Sequence, residues 1–176
     1  MFANGGVAAA CAIAYGFTHS PVLAAAFAGA FAAAAADTWG TEIGTLARSA
    51  PRSIVGLRRI PTRLSGGVTL NGTLAEIAGA LVVGFTAWAA GIAPWWIIGA
   101  AGFAGALVDS LAGATVQALH YCSRCDRLCE TDPHVCGSSA NLIRGVRAIN
   151  NDAVNALATL AGATAAGSLA FYFTAF

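Results

Sequence analysis

Asp37 and Glu42 stand in one long apolar stretch of this chain, and Asp109 stands in another. A carboxylate inside a membrane-spanning segment is costly and marks a functional site. The spacing therefore predicts that Asp37 ligates a divalent cation, with Glu42 a further ligand or its partner. The two are five residues apart, about 140° round an ideal helix, so convergence requires a break near Gly40 or Gly44. Asp109 shares a helical side with Gly113 and Gln117 and is expected to be a second metal ligand; the alternative is an ion pair with Arg144 or Arg147. Asn151 and Asn155 lie one helical turn apart with Asp152 beside them, and Asn150 precedes. A helix cap with a dipole-complementing acid uses one or two of these four residues. The rest are assigned to the same site.

A second group suits anions. The run Leu64-Ser65-Gly66-Gly67-Val68-Thr69-Leu70-Asn71-Gly72-Thr73 follows five arginines in the window 48–63. A glycine-rich turn that opens a helix offers backbone N–H groups and a positive dipole end to phosphate. Arginines such as Arg59 and Arg63 can clamp phosphate bidentately. Thr73 and Glu76 read as a capping box for the helix that follows, which leaves Glu76 outside the site.

A third group is Cys122-x2-Cys125-x3-Cys129-x6-Cys136, with His134 in the same loop. Cytoplasmic thiols stay reduced, so clustered cysteines favour structural zinc over disulfides. The candidate ligands are Cys122, Cys125 and Cys136 with either His134 or Cys129; redox sensing is the functional alternative. His120 and His19 have no evident partners and are assigned to the membrane interface.

These groups need a scaffold, and composition names it. The chain is 57% hydrophobic and 10% charged, with mean hydropathy +0.70. Soluble domains carry roughly 25% charged residues, so a water-soluble fold is excluded. A net charge of +1 gives no footing for nucleic acid. Alanine is abundant and lysine absent, a pattern that base composition alone can produce. No basic leader with a cleavage site precedes the first apolar segment.

Five apolar segments, about 2–17, 21–47, 73–92, 95–119 and 150–174, approach or exceed the ~20 residues that cross a bilayer. Helices are the form that satisfies their backbones. The fold class is therefore all-α, a polytopic membrane bundle of about five transmembrane helices in one domain, 1–176. All nine cationic residues are arginines and lie in two loops, 48–72 and 120–149. Alternation puts both loops on one side, and the positive-inside rule makes that side cytoplasmic, with the N-terminus inside and the C-terminus outside. Trp88, Trp95 and Trp96 flank the short outer loop as an interfacial belt. Gly102, Gly105, Ala106, Asp109, Ala112 and Gly113 form one small-residue stripe, and Asn151, Asn155, Thr159, Gly162 and Ala166 another, so the polar residues face the bundle interior. Asp37, Asp109 and Asp152 then come to similar depth on three helices.

Four blocks carry a resemblance: Asp37-Thr-Trp-Gly-Thr-Glu, Ser65-Gly-Gly-Val-Thr-Leu-Asn-Gly-Thr, Asp109-Ser-Leu-Ala-Gly-Ala and Asn150-Asn-Asp-Ala-Val-Asn. Their order and spacing resemble the integral membrane family that includes plant phytyl-phosphate kinase and animal transmembrane protein 19. The likeness covers about 30–165. The loop with Cys122, Cys125, His134 and Cys136 is similar to one in prokaryotic members, which implies a prokaryotic cell membrane. The resemblance implies an isoprenyl-phosphate kinase, forming a diphosphate from a phytyl-, farnesyl- or geranylgeranyl-type monophosphate with CTP or another nucleoside triphosphate. In that reading Asp37, Asp109 and Asp152 are catalytic and, with Glu42, hold magnesium. Arg59, Arg63, Ser65, Gly66, Gly67, Asn71, Arg144, Arg147, Asn151 and Asn155 bind phosphates. A homo-oligomer is compatible with the sequence. The rival class is an ion-coupled carrier using the same three aspartates; the outer halves of the helices lack the acids that would complete its path.

Overall fold

The computed structural model describes residues 2–46 and 49–174; Arg48 lies outside them. Five helices form: α1 (Phe2–Thr18), α2 (Pro21–Thr45), α3 (Leu70–Ala89), α4 (Trp95–Thr115) and α5 (Asn151–Thr174). α2, α3, α4 and α5 are each long and apolar enough to cross a bilayer. α1 has 17 residues, about 25 Å, and is the shortest. The expected membrane bundle is borne out.

α2 is the hub and touches the other four helices. Every buried residue of α2 is alanine or glycine, from Ala25 to Gly40. Such a helix lets its neighbours approach backbone to backbone. A methyl at Gly29 would overlap the Gly162 carbonyl and Ala166 of α5. One at Gly102 of α4 would fall 2.5 Å from the Ala32 Cβ of α2. The predicted stripe on α4 is buried at Gly102, Gly105, Ala106, Ala112 and Gly113, and that on α5 at Thr159, Gly162 and Ala166.

Three boundaries differ from the sequence reading. α3 begins at Leu70, because Thr69 is its cap and its hydroxyl accepts from the Gly72 N–H at 3.0 Å. Thr73 is already inside the first turn, so no capping box forms with Glu76, which is buried instead. α4 stops at Thr115 and the chain turns into a strand at Leu119. α2 runs unbroken through Gly40 and Gly44 to Thr45.

The arginine loops are folded. β1 (Arg52–Ser53) and β2 (Gly67–Val68) pair antiparallel, Ser53 opposite Gly67. β3 (Leu119–Cys122), β4 (Arg127–Cys129) and β5 (Asn141–Arg144) form an antiparallel sheet in the order β4-β3-β5. A hydrogen bond between Ser65 and Glu130 joins the two loops, so both cover one end of the bundle. The tight turns lie at the other end, where Trp88, Trp95 and Trp96 are exposed and Trp95 stacks on Phe85 at 5.0 Å.

Candidate functional site

Where the two loops meet the bundle, a cavity of about 320 Å³ opens among α2, α3, α4 and the start of α5. Five carboxylates line it, those of Asp37, Glu42, Glu76, Asp109 and Glu130, with Arg63 the one arginine in its wall among the described residues. Asp37 from α2 and Asp109 from α4 bring their carboxyl groups within hydrogen-bond reach of each other. Two carboxyls so placed require a shared proton or a cation between them. The Oδ2 of Asp109 is buried and meets no donor among the described residues. Glu76 of α3, only 8% exposed, fills the space that Gly40 leaves by having no side chain. Oxygen donors from three helices, one of them unpaired and buried, suit a hard divalent cation such as magnesium. Glu42 sits exposed at the rim, at a different height on the unbroken α2. Thr38, Thr41, Asn151 and Asn155 add neutral polar groups to the wall.

The glycine-rich loop forms another wall. Gly66 has φ +79°, and a Cβ there would lie 2.5 Å from the Ala114 backbone nitrogen, so only glycine lets the loop seat on the end of α4. Ser65 is held by Glu130. Its backbone N–H donates to Oε1 at 2.6 Å and its hydroxyl to Oε2 at 3.0 Å. The Gln117 amide, 1% exposed, donates to the same Oε2 at 3.0 Å and to the Ser65 hydroxyl oxygen at 3.0 Å. The donors of Ser65 expected for phosphate are thus taken by a protein carboxylate.

In the second loop, one ligand atom from each of Cys122, Cys125, His134 and Cys136 lies within 4.8 Å of the others. The Cys122 and Cys136 sulfurs are 3.7 Å apart, and His134 Nδ1 is 3.2 Å from the Cys136 sulfur. Cys129 packs beside this group, but its thiol faces the Thr131 carbonyl at 3.6 Å and is not one of the four converging atoms, which favours His134 as the fourth donor. The His134 contact, aided by Ser138, pulls the Cys136 thiol down to about 5. Its hydrogen bond to Cys136 pushes Cys125 up to about 11. Three sulfurs and one imidazole nitrogen so placed are a donor set that a soft, tetrahedral metal can complete by displacing protons.

The sequence model of a family described as "Integral membrane protein DUF92" matches residues 1–163, which include both the cavity and the cysteine loop. The chain belongs to this family. Protein PGR of Arabidopsis thaliana is 30% identical over 146 residues, covering 75% of this chain and 49% of the relative. An uncharacterized membrane protein of Methanocaldococcus jannaschii is 36% identical over 88 residues, covering 49% of this chain and 37% of the relative. The DUF92 chain therefore spans about half the plant relative's length, and less of the archaeal one's. No solved structure matches it.

The DUF92 cavity gathers only part of the predicted set. It brings together Asp37, Glu42, Arg63, Ser65, Gly66, Gly67, Asp109, Asn151 and Asn155. It does not include Asp152, which is exposed and turned about 100° from Asn151 on α5. Of the three aspartates expected to meet, only Asp37 and Asp109 line the cavity, and Glu76 joins them there. Asn71 and Arg59 are exposed and outside the cavity. Arg144 donates to the Gly113 carbonyl at 2.8 Å, capping the last turn of α4. Arg147 pairs with Asp132 at 4.0 Å on the surface. His120 is buried, 3% exposed, with both ring nitrogens unpaired among the described residues, and not interfacial as expected.

Sequence reasoning missed Glu76, Gln117 and Glu130 as parts of the site. A signal existed for Glu76: Gly72, Glu76, Gly79 and Ala80 follow one helical stripe and all are buried. Gln117 was placed on the Asp109 side of a longer α4; it acts from the turn after the helix. For Glu130 no spacing points the way, because its partners are 13 and 65 residues distant.

Proposed function

We propose that this membrane protein is a phosphotransferase that phosphorylates an isoprenyl monophosphate to the diphosphate with a nucleoside triphosphate and magnesium. The observation that supports it most is the meeting of Asp37 and Asp109, from two helices, beside buried Glu76 at the floor of a polar cavity. The resemblance of the four sequence blocks to a lipid-phosphate kinase family supplies the substrate class. Phosphoryl transfer needs positioning and charge neutralisation more than covalent help. An oxygen of the acceptor phosphate attacks the γ-phosphorus, the bond to the leaving nucleoside diphosphate breaks, and the new diphosphate keeps the prenyl chain. Magnesium held by Asp37, Asp109 and Glu76 would supply the charge that lets polyphosphate enter a wall of five carboxylates. Asn151, Asn155, Thr38 and Thr41 offer neutral donors to phosphate oxygens, and Arg63 a charged one at the mouth. The cysteine group is proposed to hold structural zinc through Cys122, Cys125, His134 and Cys136.

The arginine bias of the two loops supports a cytoplasmic face for this end of the bundle, and nucleotide would then arrive from the cytosol. The carrier reading is weaker: all the carboxylates of the cavity lie at this one end. Sealed vesicles test activity and orientation together. Inverted vesicles carrying the protein should convert prenyl phosphate with added nucleoside triphosphate and magnesium, and right-side-out vesicles should not. Absence of turnover in both, with folded protein present, refutes the kinase.

A groove on the flank of the bundle gives the prenyl chain a place. It is lined by Asn4, Gly5, Phe31, Ala35, Trp39 and Val83 among others, and Thr38 belongs both to it and to the cavity. A headgroup in the cavity can therefore leave its tail in this groove. Gly5 has nothing within 4 Å of an added Cβ, so a larger side chain fits there without moving a helix. Gly5→Leu is expected to raise KM for geranylgeranyl phosphate about tenfold, the effect of roughly 1.4 kcal/mol, with kcat little changed. Isopentenyl phosphate should be indifferent to it, as should both substrates to Gly16→Leu, whose site on α1 is equally open. Equal losses for the long and the short substrate would exclude the groove.

A further inference from the structure

Glu130 occupies a singular place. It is the residue after Cys129, at the end of β4, bracketed in sequence by the metal-group residues Cys125 and His134. Its carboxylate reaches out of the cysteine loop and takes three hydrogen bonds, two from Ser65 and one from Gln117. Charge-assisted bonds to a carboxylate are the stronger kind, and three of them fix both oxygens. Ser65 adjoins Gly66, which packs on Ala114, and Gly113 of α4 faces Ser65 so closely that a Cβ there would lie 2.9 Å from the Ser65 Cβ. The loop through Ser65, Gly66 and Gly67 is thus clamped between the end of α4 and Glu130, and it forms one wall of the cavity. On the other side, residues 122–136 carry little regular structure beyond β3 and β4. A segment of that kind is ordered by what ties its ends. Cys122 ends β3, Cys125 lies in the turn before β4, and His134 and Cys136 lie beyond Glu130, so a metal held by all four would fix the backbone on both sides of it.

We infer that Glu130 is a positioning residue through which the Cys/His centre holds the Ser65–Gly67 loop on α4, so that metal loading of one loop sets the geometry of the other. This rests on the zinc reading above but not on the kinase reading, since no readout below involves phosphoryl transfer. The centre acts at a distance: it touches no wall of the cavity, and its influence passes through one carboxylate. Ser65 serves the loop's architecture, and phosphate is met by other donors.

The test is the rate at which trypsin cuts after exposed Arg63 in the purified protein in detergent. Metal content is measured on the same samples. Wild-type protein with stoichiometric zinc should be cut slowly there, and stripping the zinc with a chelator should speed the cut about tenfold, as local opening replaces the clamped state. Glu130→Gln should speed it to a similar degree while retaining its zinc. Chelating that variant should then add less than about twofold, because the link is already broken. Ser65→Ala, which removes one bond of the three and no charge, should give a smaller rise and covers the case in which Glu130→Gln fails to fold.

Four results overturn the inference. The first two are cleavage of Glu130→Gln at the wild-type rate and equal acceleration by chelation in wild type and variant. Preparations that lack zinc when made under reducing conditions remove the metal's part, and leave the kinase reading standing. Acceleration of the wild-type cut by inorganic pyrophosphate would recast Glu130 as an occupant that phosphate displaces.

Discussion

Asp109→Asn and Asp37→Asn are each expected to lower magnesium-dependent transfer to a prenyl phosphate by roughly 10³-fold, the scale on which one positioned electrostatic group contributes. Both should fold as well as the parent. Asparagine keeps the shape and can still bond its neighbour, and it relieves the contact of two carboxyls in the cavity floor. Circular dichroism and thermal melts in detergent check folding, and single-turnover transfer checks chemistry. Asp152→Asn is the control. That residue is exposed and outside the cavity, so its variant should keep most of its activity. Full activity in both the Asp37 and Asp109 variants would sink the kinase mechanism. Loss in Asp152→Asn as well as in the other two would restore the set read from sequence.

The largest effect on stability is expected at Gly29. A side chain there has no room, because the Gly162 carbonyl and Ala166 of α5 already occupy the position of its Cβ. Gly29→Ile should cost on the order of 3 kcal/mol, the upper range for overpacking a core, and separate α2 from α5. The melt should shift strongly downward and the yield of monodisperse protein should fall. Gly16→Ile, on α1 with nothing near its Cβ, should melt as the parent does. If the two variants melt alike, the close crossing of α2 and α5 is wrong.

The bundle was legible because membrane helices are written in simple terms. Long apolar runs, two short connections and arginines confined to two loops determine five helices and their alternation. Asp37 and Asp109 were legible for the same reason, as acids within those runs. What sequence could not give was rotation at a helix end. Asp152 sits next to Asn151, and only the packing of α5 decides which of the two faces the cavity. Glu76 was lost to a local pattern: Thr73 and Glu76 have capping-box spacing, but Thr69 caps first and carries Glu76 into the interior. Glu130 was lost because its bonds join two loops whose folds are set by pairings too distant for any periodicity to show.

The alanine-rich composition, which base composition could explain, has a thermodynamic side in α2. Its buried positions are all alanine or glycine, side chains with no rotamers to lose. The buried face of α2 is therefore assembled with almost no side-chain ordering entropy, and its cohesion comes from backbone surfaces in contact. The same economy removes adaptability. A face of leucines can repack around an added methyl by changing rotamers, whereas the alanine and glycine face of α2 can respond only by moving whole helices, together with the aspartates they carry.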